Sequence, residues 1–146
     1  MKLFQALGFV CVLSASTAAS SDGRAPADDL VAMGAYVATD DIGRSETFYR
    51  VLFEREPVLR LDDFVAFDIS GGWFAIVSRE RYAPTAMPGS GAVPYIRSSD
   101  LEAVRARAAD ALGEAAPDIL VEPGIRLLKI SDPDGQLIEF FALEDG

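Results

Sequence analysis

The side chains that carry most enzyme chemistry are nearly absent from this sequence. It has no histidine, its single cysteine is Cys11, and Lys129 is its only lysine after the second residue. Neither a Ser-His-Asp nor a Cys-His constellation can therefore be assembled, and Schiff-base chemistry would depend on Lys129 alone. The remaining candidate for acid or base catalysis is the carboxyl group of Glu139, with Tyr36 and Tyr95 as proton donors.

Glu139 also has a structural interpretation. It lies in an alternating run in which Leu137, Glu139 and Phe141 share one face of a predicted strand. A role in proton transfer requires that Glu139 be buried among apolar neighbours. The structural alternative is an ion pair with Arg97 or another arginine. The sequence leaves both interpretations open.

The elements that must position these groups follow an order that occurs twice. Each half is predicted to run strand, helix and three strands, and a linker rich in proline and glycine at residues 80–91 separates the halves. Asp41 is the predicted N-cap of the first helix, and Ser99 with Glu102 is a predicted capping box for the second. The predicted strands are 31–39, 57–61, 64–69, 73–77, 93–97, 119–122, 126–131 and 137–143, and the predicted helix faces carry Phe48, Val51 and Leu52, and Leu101, Val104, Ala108 and Leu112.

Two βαβββ modules, each with one apolar sheet face left over, must pair to bury it. We therefore predict an α+β fold in which the modules form a curved eight-stranded mixed sheet, with the helices on its convex side. The modules are expected at residues 30–79 and 92–143 of a single domain that covers residues 30–146. The concave side of such a sheet is a natural pocket.

Residues 1–20 follow the pattern of a secretory signal. Lys2 precedes an apolar run at residues 3–13 that is too short to span a bilayer, and small residues follow it. Residues 21–29 are expected to be a flexible tether. The prediction is a periplasmic or secreted protein without membrane insertion after signal cleavage. If translation begins at Met33 instead, the protein is cytoplasmic.

The chain is acidic, with 23 Asp and Glu against 13 Lys and Arg and a formal net charge of −10 at pH 7. Such a field repels polyanions, which argues against nucleic acid and anionic membrane surfaces as partners. A cationic ligand or partner would be attracted. The alternative is an acidic surface that serves only solubility.

Two motifs resemble those of a known superfamily. The run DIGRSETFYRVL at residues 41–52 resembles the first-helix signature of the vicinal-oxygen-chelate proteins, which include the glyoxalases, bleomycin-resistance proteins and extradiol dioxygenases. The run DPDGQLIEF at residues 132–140 is similar to the closing hairpin and strand of that family. Phe53 stands where the family has a glycine. The resemblance extends over about residues 31–143.

The resemblance implies a metal site that this chain has lost. Metal-dependent relatives use four side chains, mostly two His and two Glu, from the first and last strands of each half. Gly34 stands in the first of these positions, Val93 or Pro94 in the second and Ile76 in the third, so that Glu139 alone remains. No carboxylate cluster with ligand spacing replaces them. We therefore expect neither a metal nor another cofactor.

The resemblance places Glu139 on the concave, ligand-facing side and implies a homodimer. We predict a non-catalytic protein that binds a small aromatic or cationic molecule, as in the bleomycin-resistance branch. The alternatives are a lyase, isomerase or dioxygenase that uses Glu139, and an extracytoplasmic protein-interaction module with a filled cavity. Trp73 is predicted to point to the opposite face and to serve packing. The predicted ligand-binding residues are Tyr36, Phe74, Ile76, Tyr95, Arg97, Leu137, Glu139 and Phe141.

Overall fold

The computed structural model describes residues 31–144. The predicted signal at residues 1–20 and the tether at residues 21–29 lie outside this range. No helix within the described range is long and apolar enough to cross a membrane. Module 1 comprises β1 (Ala35–Thr39), α1 (Ile42–Phe53), β2 (Leu59–Leu61), β3 (Phe64–Ile69) and β4 (Gly72–Ser78); α2 (Arg79–Tyr82) follows; module 2 comprises β5 (Tyr95–Arg97), α3 (Leu101–Leu112), β6 (Leu120–Glu122), β7 (Ile125–Ser131) and β8 (Leu137–Leu143).

Each module forms its own four-stranded mixed sheet. The strand orders are β1-β4-β3-β2 and β5-β8-β7-β6, and in each sheet the first strand runs parallel to the last. The α+β fold built from two βαβββ modules is confirmed. The single eight-stranded sheet was wrong for the described residues, because β1 and β5 are edge strands of separate sheets and a cleft lies between them.

Both long helices begin at an aspartate. The side chain of Asp41 accepts a hydrogen bond from the backbone N–H of Arg44 at 2.9 Å, as the sequence predicted. In α3 the cap is Asp100, which accepts from the Ala103 N–H at 2.9 Å, so the predicted capping box at Ser99 and Glu102 was wrong by one residue. The two modules therefore start their helices with the same device.

The helices form the centre of the core. They pack against each other and against one face of each sheet. The buried stripe of α1 runs through Ser45, Phe48, Tyr49 and Leu52, which turns Val51 outward, contrary to the prediction. Each large apolar side chain buried in this way contributes about 1.5–3 kcal/mol. The core cluster contains Val37, Phe48, Tyr49, Leu52, Phe53, Val65, Phe67, Phe74, Ile76, Leu101, Val104, Ala108, Ala116, Leu128, Ile130, Ile138 and Phe140.

The turn between β7 and β8 docks on α1 through two carboxylates. Asp132 accepts a hydrogen bond from the buried hydroxyl of Tyr49 at 2.7 Å. Asp134 accepts from the hydroxyl groups of Thr39 and Ser45, at 2.7 and 3.1 Å, and from the guanidinium of Arg44 at 2.7 Å. The two motifs that carry the family resemblance are therefore in direct contact, although about 90 residues separate them.

These contacts change the acid–base properties of both partners. Burial alone would raise the pKa of Asp134, but the hydrogen bonds from Thr39, Arg44 and Ser45 outweigh it and lower the pKa. Burial, together with the neighbouring Asp132 carboxylate, raises the pKa of the Tyr49 phenol. The turn therefore favours an ionised Asp134 and a neutral Tyr49, which are the states that make these hydrogen bonds.

The segment between the modules contains a short helix, α2, that was not predicted from the sequence. Arg79 fixes it by donating hydrogen bonds to the carbonyl oxygen of Ala38 at 2.8 Å and to the carboxylate of Asp40 at 3.0 Å. Farther along, Gly89 has a positive φ of 69° and lies against the turn. A Cβ atom at this position would lie 2.6 Å from the carbonyl oxygen of Gly135, so only glycine fits without a shift.

The substitution Asp134→Asn tests the docking of the turn. Because the folded-state pKa of Asp134 is lowered, its carboxylate stabilises the protein above the unfolded-state pKa of about 3.9, and this stabilisation is lost as the pH falls through the folded-state pKa. We expect the variant to lose about 1–3 kcal/mol of unfolding free energy at pH 7 and the difference from the parent to shrink below about pH 4. Urea unfolding at several pH values measures this.

The matched control is Asp118→Asn. Asp118 also pairs with an arginine, Arg105, but its side chain is 91% exposed. An exposed ion pair of this kind contributes little to stability, so this variant should unfold with the parent at every pH. Equal losses in both variants would contradict the anchoring role of Asp134.

Candidate functional site

Each sheet packs its helix-facing side into the core, and its other side is here called the outer face. Part of the outer face of module 1 is buried by its own side chains, in a small cluster of Ala66, Ala75 and Val77 with Ala38, Leu59 and Phe64 packed against it. In module 1 the outer face carries Tyr36 and Trp73, which are 59% and 47% exposed. Ala75 lies beside Tyr36 on the same face, since the two residues are paired across β1 and β4. Phe74 and Ile76 point the other way and are 4% and 0% exposed.

The sequence therefore misassigned the two faces of β4. Phe74 and Ile76 were predicted to face the ligand, but both belong to the core, where Phe74 packs against Tyr49 with ring centroids 4.7 Å apart. Trp73 was predicted to serve packing, but it projects from the outer face. The predicted register of β4 was therefore wrong by one residue, which exchanged the faces of Phe74, Ile76 and Trp73.

The cause is a difference in length between the two hairpins. In module 1 the paired residues Ile69 and Gly72 enclose a two-residue turn, whereas in module 2 Ser131 and Leu137 enclose a five-residue turn. Matching the two strands at Gly72 and Gly135 therefore made Ile76 the equivalent of Glu139, whereas the true equivalent is Ala75. The register of the parallel pairs corrects this: Tyr36 pairs with Ala75 as Tyr95 pairs with Glu139.

In module 2 the predicted alternation is confirmed. Ile138 and Phe140 are buried, while Leu137, Glu139 and Phe141 share the outer face with Tyr95 and Arg97. The rings of Tyr95 and Phe141 stack with centroids 4.0 Å apart and an interplanar angle of 6°. The outer face of module 2 is thus partly closed by its own aromatic pair.

Glu139 forms an ion pair, but its partner is not an arginine. The ammonium group of Lys129 lies 3.2 Å from its carboxylate, because the two residues are directly opposite on β7 and β8. The side chain of Glu139 is 16% exposed and that of Lys129 is 46% exposed. The expected pairing with Arg97 or another arginine was therefore wrong. Glu139 does form an ion pair, as its structural interpretation required, but with Lys129.

The residues present do not fit the metal that the fold implies. Gly34, Val93, Pro94 and Ala75 offer no side-chain donor, and Glu139 is engaged by Lys129. Within residues 31–144 no three acidic, histidine or cysteine side chains come together as a metal site requires.

A cleft of about 810 Å³ lies between the edge strands β1 and β5. It brings together Tyr36 and Tyr95, and Phe74 borders it from the core side. Ile76 does not line this cleft, nor do the other predicted ligand-binding residues, which remain on the outer face of module 2. These residues are Arg97, Leu137, Glu139 and Phe141.

Several lining residues were missed by sequence reasoning. They are Trp73, the turn residue Gln136 and residues of the segment that connects the modules. The amide of Gln136 donates hydrogen bonds to the carbonyl oxygens of Leu137 at 2.9 Å and Ala92 at 3.4 Å, so it ties that segment to β8. The sequence did contain a signal for the connecting segment. A linker between two paired modules must cross the boundary between them, which is where the cleft lies. The segment contributes Ala83, Ala86, Ser90, Gly91, Ala92, Val93 and Pro94.

No protein-family model and no curated protein sequence matches the chain. Solved structures do match. A glyoxalase/bleomycin resistance protein from Catenulispora acidiphila is 26% identical with a TM-score of 0.64, over 78% of this chain and 99% of that one. A lactoylglutathione lyase from Agrobacterium tumefaciens is 24% identical with a TM-score of 0.59, over 75% and 91% of the two chains.

A third match is a glyoxalase/bleomycin resistance protein from Albidiferax ferrireducens, which is 19% identical with a TM-score of 0.63, over 76% of this chain and 97% of that one.

Two mixed βαβββ sheets with the helices between them define an α+β class of protein. Within that class, the chain has the fold of the vicinal-oxygen-chelate superfamily, as its two sequence motifs predicted.

Two neighbouring residues on β4 test the assignment of the faces. Phe74→Ala removes a core ring and should cost about 3–5 kcal/mol of unfolding free energy, whereas Trp73→Ala, on the outer face, should cost about 1 kcal/mol. Urea denaturation followed by circular dichroism measures both. A larger loss for Trp73→Ala than for Phe74→Ala would restore the original assignment.

Proposed function

We propose that this protein binds a small organic ligand, aromatic or cationic, in the cleft between β1 and β5 without the help of a metal. The observation that carries the proposal is the cleft of about 810 Å³ with Tyr36 on one side and Tyr95 on the other. Its volume lies within the range of about 300–1,000 Å³ typical of small-molecule sites. The two tyrosines occupy equivalent positions in the two modules, so both sheets contribute an aromatic ring.

The chemistry of the lining favours an aromatic or cationic ligand. Apart from the tyrosine hydroxyl groups and the indole N–H of Trp73, Ser90 and Gln136 supply the polar side chains, and no charged side chain lines the cleft among the described residues. Aromatic rings stack on Tyr and Trp and attract cations through their faces. The net charge of −10 adds a long-range attraction for positively charged molecules.

The names of the similar structures point in two directions, toward a lactoylglutathione lyase and toward bleomycin resistance. The donor set of this chain supports the second. Glu139 is held by Lys129 at 3.2 Å, and its counterpart in module 1 is Ala75. Sequestration of a ligand requires complementary surfaces and no reactive group, which agrees with the residues present.

We also propose that the protein is exported and forms a homodimer. The signal pattern of residues 1–20 supports export. The outer faces support association, because Tyr36, Trp73, Tyr95 and Leu143 are about half exposed on them. Exposed aromatic and apolar side chains that share a face are typical of interaction surfaces. A second copy that covers these faces would enclose the cleft.

Native mass spectrometry of protein purified gently from its source compartment tests the proposal. The expected result is a dimer that carries an organic adduct and no metal. Tyr95→Ala should weaken the adduct about tenfold, equivalent to about 1.4 kcal/mol, through loss of ring contact. Leu120→Ala is the matched control, since Leu120 is 49% exposed but lies on β6, away from the cleft. A stoichiometric divalent metal, or an adduct unaffected by Tyr95→Ala, would overturn the proposal.

A further inference from the structure

The outer face of module 1 carries a second hollow beside the cleft. Its volume is about 370 Å³, and we call it the aromatic slot. Tyr36, Phe64 and Trp73 supply its aromatic rings, and Ala75 lies between them. Gly71 and residues 32–35 complete the lining.

Small residues on β3 and β4 leave space for this slot, and of these Ala75 lines it. Ala66 and Ala75 face each other across β3 and β4 and are almost completely buried. The equivalent positions of module 2 hold Lys129 and Glu139, whose long side chains fill the corresponding space with an ion pair. The same backbone therefore presents a hollow in one module and a filled, charged surface in the other.

One negative charge lies at the edge of the slot. Asp68 is paired with Trp73 across β3 and β4, so both side chains are on the outer face. Its Oδ1 atom accepts a hydrogen bond from the N–H of Gly71, a residue of the slot, at 3.2 Å. No ion pair within residues 31–144 includes Asp68. Apart from the Tyr36 phenol, Asp68 is the only ionisable side chain that the described strands place on this face.

We propose that the aromatic slot binds a flat aromatic cation, with its rings against Tyr36, Trp73 and Phe64 above Ala75 and its positive charge toward Asp68. This inference rests on the proposed function, because the slot shares Tyr36 and Trp73 with the cleft. A cavity of about 150 Å³ is enough to hold benzene, so the slot has room for a two-ring system. Tryptophan is the strongest cation–π partner among the aromatic residues.

The chain supplies its own reporter for this site. Trp73 is its only tryptophan and lines both the slot and the cleft, so its fluorescence reports on ligands at either site, and the variants below distinguish the two. The probes are N-methylquinolinium, a flat two-ring cation, and 1-methylnaphthalene, a neutral molecule of nearly the same shape. We expect saturable quenching of Trp73 by N-methylquinolinium, with an affinity about tenfold higher than that of 1-methylnaphthalene.

Two variants separate shape from charge. Ala75→Leu fills the slot and should abolish the binding of both probes. Asp68→Asn keeps an oxygen that can accept from the Gly71 N–H but removes the charge, so it should weaken N-methylquinolinium about three- to tenfold and leave 1-methylnaphthalene unchanged. Thermal unfolding confirms that each variant is folded, and Asp68→Asn decides the question if Ala75→Leu does not fold.

The matched control is Tyr95→Ala, which removes a ring from the cleft but none from the slot, so it should leave N-methylquinolinium binding unchanged. Equal affinity for both probes, or probe binding that Asp68→Asn does not weaken, would overturn the inference. So would the loss of N-methylquinolinium quenching at protein concentrations at which the dimer forms, since a second copy would then occupy the slot.

Two combinations of results distinguish ligand binding in the cleft from ligand binding in the slot. An organic adduct that is lost in Tyr95→Ala, together with N-methylquinolinium binding that ignores Ala75→Leu, would overturn the slot and leave the cleft supported. Saturable probe binding that needs Ala75 and Asp68, in a protein purified without an adduct, would support the slot and count against the cleft as the resident ligand site.

Discussion

Two carboxylates in one tight turn hold the described structure together. Asp132 accepts the Tyr49 hydroxyl and Asp134 accepts from Thr39, Arg44 and Ser45, so the closing hairpin of module 2 is fastened to the first helix of module 1. Buried carboxylates are costly unless they are hydrogen-bonded, and here each has several donors. The turn can therefore dock on α1 in one register only, which fixes the phase of β8 behind it.

The open faces of the sheets follow from the packing of the two long helices. Because α1 and α3 pack against each other and against both sheets, one face of every sheet is used by the core. The outer faces are left with their rings exposed, and the edge strands β1 and β5 enclose a cleft instead of sharing hydrogen bonds. The segment after α2, fixed by Arg79 and by the close approach of Gly89 to Gly135, borders that cleft.

The sequence predicted the elements better than the faces of β4. The bounds 64–69 and 137–143 and the Asp41 cap agree with the structure, because alternation and capping are local patterns. The side of β4 that carries Phe74 depends on the hairpin turn before it, and the two hairpins differ in length. A shift of one residue exchanges the faces of a strand, so this error moved Trp73 out of the predicted site. The slot depends on Ala75, whose significance appears only when it is compared with Glu139, the longer residue at the equivalent position of module 2.

The difference between the modules would make the proposed ligand site asymmetric. Tyr36 and Tyr95 are equivalent, but Tyr36 stands beside a hollow floored by Ala75, whereas Tyr95 stacks on Phe141 next to the ion pair of Glu139. Module 1 thus offers ring surfaces with space between them, and module 2 offers a preassembled surface with its charges already paired. A ligand in the proposed site would contact apolar residues of both modules, and the free space beside the cleft lies on the side of module 1. In the proposed function, the small side chain of Ala75, more than any reactive group, would therefore determine which molecules this surface accepts.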